Sequence, residues 1–189
     1  IGLDVERDEL AFFPLIYWPM TERQATLSDG ARARINTYLR NGGTILFDTR
    51  DQNLSGIGGV GPGTQTLRSL VGGLDIPALL EIPTTHVLTK AFYLLHEFPG
   101  RWEGGRLFVQ KPDERVNDGV SSVIIGANDF AAAWAIDATG RPMFSVVPGS
   151  ARQRELAFRF GVNLVMYALT GNYKADQVHV DEILERLGQ

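Results

Sequence analysis

No cysteine occurs anywhere in the 189 residues. That absence removes disulfides, thiolate nucleophiles and cysteine-ligated zinc or iron–sulfur centres together. Basic residues are also few: 18 Lys and Arg against 22 Asp and Glu leave a formal net charge of -4. There is no basic surplus to serve a nucleic acid or an anionic membrane, and neither is expected as the main partner. No apolar run approaches the roughly 20 residues a bilayer-spanning helix needs, so this chain is not expected to insert directly into a membrane. The three histidines, His86, His96 and His179, lack H-E-x-x-H or comparable ligand spacing, and no serine lies in a G-x-S-x-G elbow. Neither a metal nor a cofactor is expected, and no catalytic residue can be assigned.

What is present is globular in character, with 44% hydrophobic and 21% charged residues. The length suits one domain over residues 1–189. Because Ile1 is neither a methionine nor the start of a basic leader, the chain is expected to be a piece of a longer protein.

The chain is organised around Ser28–Asp51 (SDGARARINTYLRNGGTILFDTRD). Ser28 or Asp29 can accept amide hydrogens at a helix start, and Ala31, Ile35, Tyr38 and Leu39 then share one face. Gly42 and Gly43 supply a stop, and Thr44–Phe47 has the β-branched and aromatic character of a strand buried on both faces. Asp48, Arg50 and Asp51 follow its carboxyl end, where open α/β sheets hold ligands. Leu15–Trp18 precedes as another strand, so the opening reads as a β-α-β unit.

Further elements are expected in alternation. They are a helix over Thr64–Val71, a short strand within Ala78–Ile82, and a helix over Val87–Leu95 capped by Thr84 or Thr85. Strands follow at Leu107–Gln110, Ser122–Gly126 and Phe144–Val147, with a short helix at Ala131–Ile136. A long helix runs from Ser150 to about Leu169, with Leu156, Phe160, Leu164 and Tyr167 on one stripe, and Gly171 is expected to end it. A small amphipathic helix closes the chain. Between the two, Asn172–His179 packs polar groups into a segment read as non-helical, either a clasp or a binding edge.

Gly56–Gly61 is a literal G-x-G-x-x-G, the pattern that lets a backbone approach a pyrophosphate, and Glu81 stands about 20 residues on. The context is poor, because Thr49–Ser55 separate the pattern from its strand and Pro62 and Gly63 delay the helix. A surface loop is the favoured reading. The crest Asp48, Arg50 and Asp51 could bind a polar ligand or metal, or supply acid and base groups; alternatively, Arg50 pairs with a neighbouring carboxylate and fixes the loop. Asn128 and Asp129 form a second polar crest after Ser122–Gly126. His86 could lie near these crests or serve as a cap. Asn163, beside the apolar stripe of the long helix, is expected to join a buried hydrogen-bond network.

Four segments carry a family resemblance: DELAFFPLIYWP, YLRNGGTILFDTRD, HVLTKAFYLLHEFPGR and RFGVNLVMYALTGNYKADQVHV. They resemble a bacterial domain family of unknown function that recurs at the carboxyl end of membrane-anchored proteins of the BatA, or aerotolerance-regulator, type. The resemblance implies a flavodoxin-like three-layer sandwich with a mainly parallel sheet, similar to class I glutamine amidotransferases. It also implies a further strand and helix before Ile1, so that the piece lacks its first strand and helix. Those enzymes use a cysteine nucleophile, and this chain has none, so glutaminase activity is not carried over.

The expectation is therefore a non-catalytic ligand- or protein-binding module, with Asp48, Arg50, Asp51, His86, Asn128 and Asp129 as candidate ligand residues. Its expected partners are other domains of the parent or envelope proteins. Its location is expected to be membrane-associated through the parent, on a side the sequence does not fix. The alternative is a hydrolase of a polar small molecule or glycan using Asp48, Asp51 and His86.

Overall fold

A computed structural model describes residues 1–57, 60–111 and 120–187, with side chains described outside 55–57 and 171–187. Strand β1 spans Leu15–Pro19, helix α1 Asp29–Arg40 and strand β2 Thr44–Asp48. Helix α2 covers Pro62–Val71, and strands β3, β4 and β5 cover Leu79–Glu81, Phe108–Gln110 and Val123–Gly126. Helix α3 is Phe130–Trp134, and α4 is Ala151–Leu187.

The organising unit forms as its residues dictate. Ser28 Oγ accepts the Ala31 amide hydrogen at 3.0 Å, and Ala31, Ile35, Tyr38 and Leu39 are the buried residues of α1. Gly42 takes φ +91°, and Gly43 lies so close to the Tyr38 ring that a Cβ would sit 2.3 Å from it. The chain thus turns tightly from α1 into β2, all five residues of which are buried.

The sheet order is β1-β2-β5-β4-β3. Strands β1, β2 and β5 run parallel, with Tyr17 opposite Leu46 and Asp48 opposite Gly126. Strand β4 is antiparallel to both neighbours, so the sheet is mixed, not parallel throughout. A three-residue strand carries no direction of its own, and β4 takes its direction from the ladders it makes with β3 and β5.

The sheet carries a core on each face. Ile45, Phe47 and Val123 pack with Ile35 and Leu39 of α1 and with Leu67 and Leu70 of α2. Leu46, Val109 and Ile124 pack on the other face with Phe130 of α3 and with Phe160, Leu164 and Tyr167 of α4. The chain leaving β2 therefore crosses one face, and the chain leaving β5 crosses the other. Their carboxyl ends flank the point where the connections diverge, the place open α/β sheets use for ligands.

Three expected elements differ. Val87–Leu95 is not a helix; only Val87–Thr89 makes a 3-10 turn. Asn163 explains this, because its fully buried carboxamide accepts the Phe92 and Tyr93 amide hydrogens and donates to the carbonyls of Leu88 and Tyr93. Those backbone groups pair with α4 instead of with one another. Phe144–Val147 makes no strand, only a single bridge from Val147 to Trp102, and Pro148 follows without a donor. Helix α4 continues through Gly171 to Leu187, so Asn172–His179 is helical. A lone interior glycine costs a helix only about 1 kcal/mol, and no proline follows to enforce a stop. The side chains of the expected clasp and closing helix lie outside those described. Among the described residues, no helix is long and apolar enough to cross a membrane.

Candidate functional site

Asp48 ends β2 and is fully buried. A carboxylate in that position needs donors, and the fold brings four. Its Oδ2 accepts from the Tyr17 hydroxyl at 2.8 Å and from the Phe130 amide at 2.7 Å. Its Oδ1 accepts from the amides of Arg50 at 3.1 Å and Asp129 at 3.2 Å. Burial raises the Asp48 pKa above the ordinary carboxylate value, and the Tyr17, Phe130, Arg50 and Asp129 hydrogen bonds oppose that rise. Burial beside the same carboxylate pushes the Tyr17 phenol well above its usual range.

Arg50 and Asp129 are non-glycine residues with left-handed backbones, at φ +63° and +52°. The turns they make aim their amides back at Asp48. Their side chains also meet, with Arg50 Nε donating to Asp129 Oδ1 at 2.9 Å. Arg101 approaches the other oxygen, Nη1 to Oδ2, at 3.6 Å. The Arg101 guanidinium lies 4.9 Å from the centre of the Trp102 ring and 5.6 Å from that of Phe144. Gln153 holds this loop by donating to the carbonyls of Gly100, Arg101 and Val147.

Asp51 faces the other way along the crest. Its two oxygens accept the amides of Gly63 at 3.0 Å and Thr64 at 2.6 Å, the opening residues of α2. Gly61, the residue before that helix, offers no side-chain cap of its own. A Cβ on Gly63 would lie 1.8 Å from the Thr49 carbonyl oxygen, which explains a glycine at this contact. The amides that a glycine-rich loop would offer a phosphate are therefore held by an internal carboxylate. Gly58 and Gly59 of the G-x-G-x-x-G pattern lie outside the described residues. Glu81 pairs with Arg106 at 3.6 Å on β3, at the far edge of the sheet.

Asn128 is buried and donates from Nδ2 to the Phe98 carbonyl at 2.7 Å. Its own carbonyl accepts the Trp102 amide at 3.1 Å, so it ties the Pro99–Trp102 turn to the crest. Its Oδ1 has no hydrogen-bond partner among the described residues.

His86 does not join this group. It lies beside Ser121, which precedes β5, whereas the crest follows β5 at its other end. The imidazole Nε2 is 3.5 Å from Ser121 Oγ, and the ring packs against Tyr167 at 5.4 Å between centroids. His86 Nδ1 accepts the Leu88 amide at 3.2 Å, making His86 the cap of the 3-10 turn. Burial lowers its pKa to about 4. An Nδ1 that accepts leaves the proton of the neutral ring on Nε2, facing Ser121, so this pair is not set to remove a serine proton.

The structure thus brings Asp48, Arg50 and Asp129 together, with Asn128 and Asp51 adjoining, and sets His86 apart. Sequence reading missed Tyr17 and Arg101. Tyr17 had a signal, since residues 17, 46 and 48 fall on one face once β1 and β2 pair in register. Arg101 had none beyond following the Pro99-Gly100 break. Among the described residues, no group of three or more His, Asp or Glu side chains is placed to hold a metal ion.

The model of a domain of unknown function, DUF4159, matches residues 1–169, and the chain belongs to that family. A comparison with curated proteins finds no match.

Proposed function

We propose that this DUF4159 domain is a non-catalytic binding module, engaging its ligand or protein partner at the surface of the β2 and β5 crests. The observation that carries the reading is the internal occupation of the divergence point. Asp48 and Asp51 hold the amides that open α3 and α2, the groups that bind substrate anions in enzymes built on such sheets. The chemistry that remains at the surface is ionic, formed by Arg50 and Arg101 around the nearly buried Asp129. The hydrolase alternative finds little support, because His86 is distant from both carboxylates along the sheet and its accepting nitrogen is engaged by Leu88.

For the architecture we favour a flavodoxin-like fold similar to class I glutamine amidotransferases, with a preceding strand and helix in the parent protein. Two features support this: the parallel β1-β2-β5 arrangement, and an apolar β1 (LIYWP) that occupies an edge although it is composed like an interior strand. We also favour a membrane-anchored bacterial envelope protein as the parent, with its other domains or envelope proteins as partners. The family resemblance alone supports that part, and a full-length gene without an apolar span or signal segment would overturn it.

The binding reading is tested with a panel of ester, phosphoester, amide and glycoside reporters alongside a thermal-shift screen of small anions. The expected result is no turnover together with a raised melting temperature for some anions. Turnover that disappears in His86→Asn or Asp48→Asn, with the fold intact, would contradict it.

A further inference from the structure

Arg50 and Arg101 reach the same carboxylate from its two oxygens, Arg50 Nε at 2.9 Å from Asp129 Oδ1 and Arg101 Nη1 at 3.6 Å from Oδ2. Two guanidinium charges therefore share one nearly buried counter-charge. Asp48 adds little to the surface, because both its oxygens are turned inward to Tyr17 and three backbone amides. The bridge is left with an excess of about one positive charge.

Both guanidinium groups are also fixed and accessible. The Arg50 side chain is 42% exposed and bonds Asp129 through Nε, which leaves the outer nitrogens of its fork without a hydrogen-bond partner among the described residues. Its backbone is left-handed, a conformation glycine would hold without steric cost, so the arginine side chain stands where local conformation does not favour it. The Arg101 side chain is 33% exposed, and its guanidinium rests 4.9 Å from the centre of the Trp102 ring and 5.6 Å from that of Phe144. Gln153 fixes the loop that carries it. The fork need not be ordered at the moment of binding, which removes one of the main costs of recognition.

We propose that Arg50 and Arg101 form a receptor for a single carboxylate, which seats on their exposed guanidinium edges across from Asp129. The planar forks match a carboxylate bidentately, and one negative charge neutralises the excess on the bridge, whereas a phosphate dianion would exceed it. The aromatic rings of Trp102 and Phe144 give the carbon chain attached to that carboxylate an apolar wall; Phe144 itself is 43% exposed. A free organic acid and an acidic peptide side chain present the same group. This inference rests on the binding-module reading.

The test is a nuclear magnetic resonance titration of the labelled domain with acetate, glutarate, inorganic phosphate and a short end-capped peptide containing one glutamate. The readouts are the Arg50 and Arg101 guanidinium resonances. Saturable shifts are expected with the carboxylates, with phosphate weaker at equal ionic strength. Comparable affinity for acetate and peptide identifies a free acid as sufficient, and tighter peptide binding assigns the peptide as the source. Arg50→Lys and Arg101→Lys keep the charge and lose the fork, so each should weaken binding roughly tenfold or more. Melting temperatures report whether the variants fold, and the wild-type titration stands without them.

No saturable shift with any carboxylate overturns the receptor, as does equal binding by both lysine variants. An anion that stabilises the domain without moving these two arginines also overturns it, but leaves the binding-module reading in place. Turnover in the reporter panel overturns the module reading itself.

Discussion

Arg50 and Asp129, whose backbones are both left-handed, direct their amides at the same oxygen, Asp48 Oδ1, and join their side chains at 2.9 Å. One buried carboxylate thereby fixes the turns that leave two neighbouring strands. The ion pair closes the arrangement from outside. Strain at each turn is offset by hydrogen bonds that the turn itself makes possible.

Asp48 is therefore expected to matter for stability. Asp48→Ala leaves the Tyr17 hydroxyl and three amides without their acceptor, and should cost about 3 kcal/mol or more. Tyr17→Phe removes one donor and should cost about 1–2 kcal/mol. Urea unfolding checks both, and a loss below about 0.5 kcal/mol for Asp48→Ala would show that the carboxylate is not the keystone of the crest.

The strain at Arg50 can be isolated by comparing two truncations. Arg50→Gly and Arg50→Ala lose the same contacts with Asp129, but only glycine accepts φ near +63° freely. The glycine variant should be more stable than the alanine variant by about 1 kcal/mol. Equal stabilities would mean that the turn relaxes when the side chain is removed.

At the start of α2 the expected order of effects follows from geometry. Asp51→Ala removes the acceptor of two amides and should cost about 1 kcal/mol, with Asp51→Asn recovering much of it. Gly63→Ala should cost more, since its Cβ would lie 1.8 Å from a backbone oxygen that has no flexible side chain to move aside. Thermal unfolding of the three variants ranks them.

His86 gives the domain an acid-side weakness. Burial holds its folded pKa at about 4, against 6.5 ordinarily. The unfolded chain therefore binds the proton first, and stability should fall as pH drops from about 6.5 to about 4, by up to about 3 kcal/mol, then level off. Asp48 acts in the opposite sense, because its raised pKa makes the folded state take up a proton before the unfolded one as pH falls. His86→Asn keeps a capping acceptor for the 3-10 turn and removes the titration. Denaturant titrations between pH 7 and 4 should show a flatter profile for the variant than for the wild type.

Much of this architecture was legible in the residues. The cap at Ser28, the stripe of Ala31, Ile35, Tyr38 and Leu39, and the buried run from Thr44 are local patterns, and each formed as read. Non-local groups were not legible. Asn163 converts an apparently helical run at Val87–Leu95 into irregular chain from about 70 residues away, and no window of sequence contains that interaction. The reversed direction of β4 depended on its pairing partners, not on its own three residues. At the site, the position of Asp48 at the carboxyl end of a buried strand could be read, while most of its partners arrive from β1 and from the turn after β5. Arg101 stood out by no spacing at all, and His86 could be assigned to neither end of the sheet before the fold was known.

The most direct test of the occupied crest is the behaviour of the Asp129, Phe130, Gly63 and Thr64 amides in the labelled domain, with and without millimolar phosphate or nucleotide. Slow hydrogen exchange is expected at all four, unaltered by either anion, because Asp48 and Asp51 already hold them. Faster exchange at any of the four, or saturable shifts at Phe130, Gly63 and Thr64, would contradict this by showing that the crevice opens to an external anion.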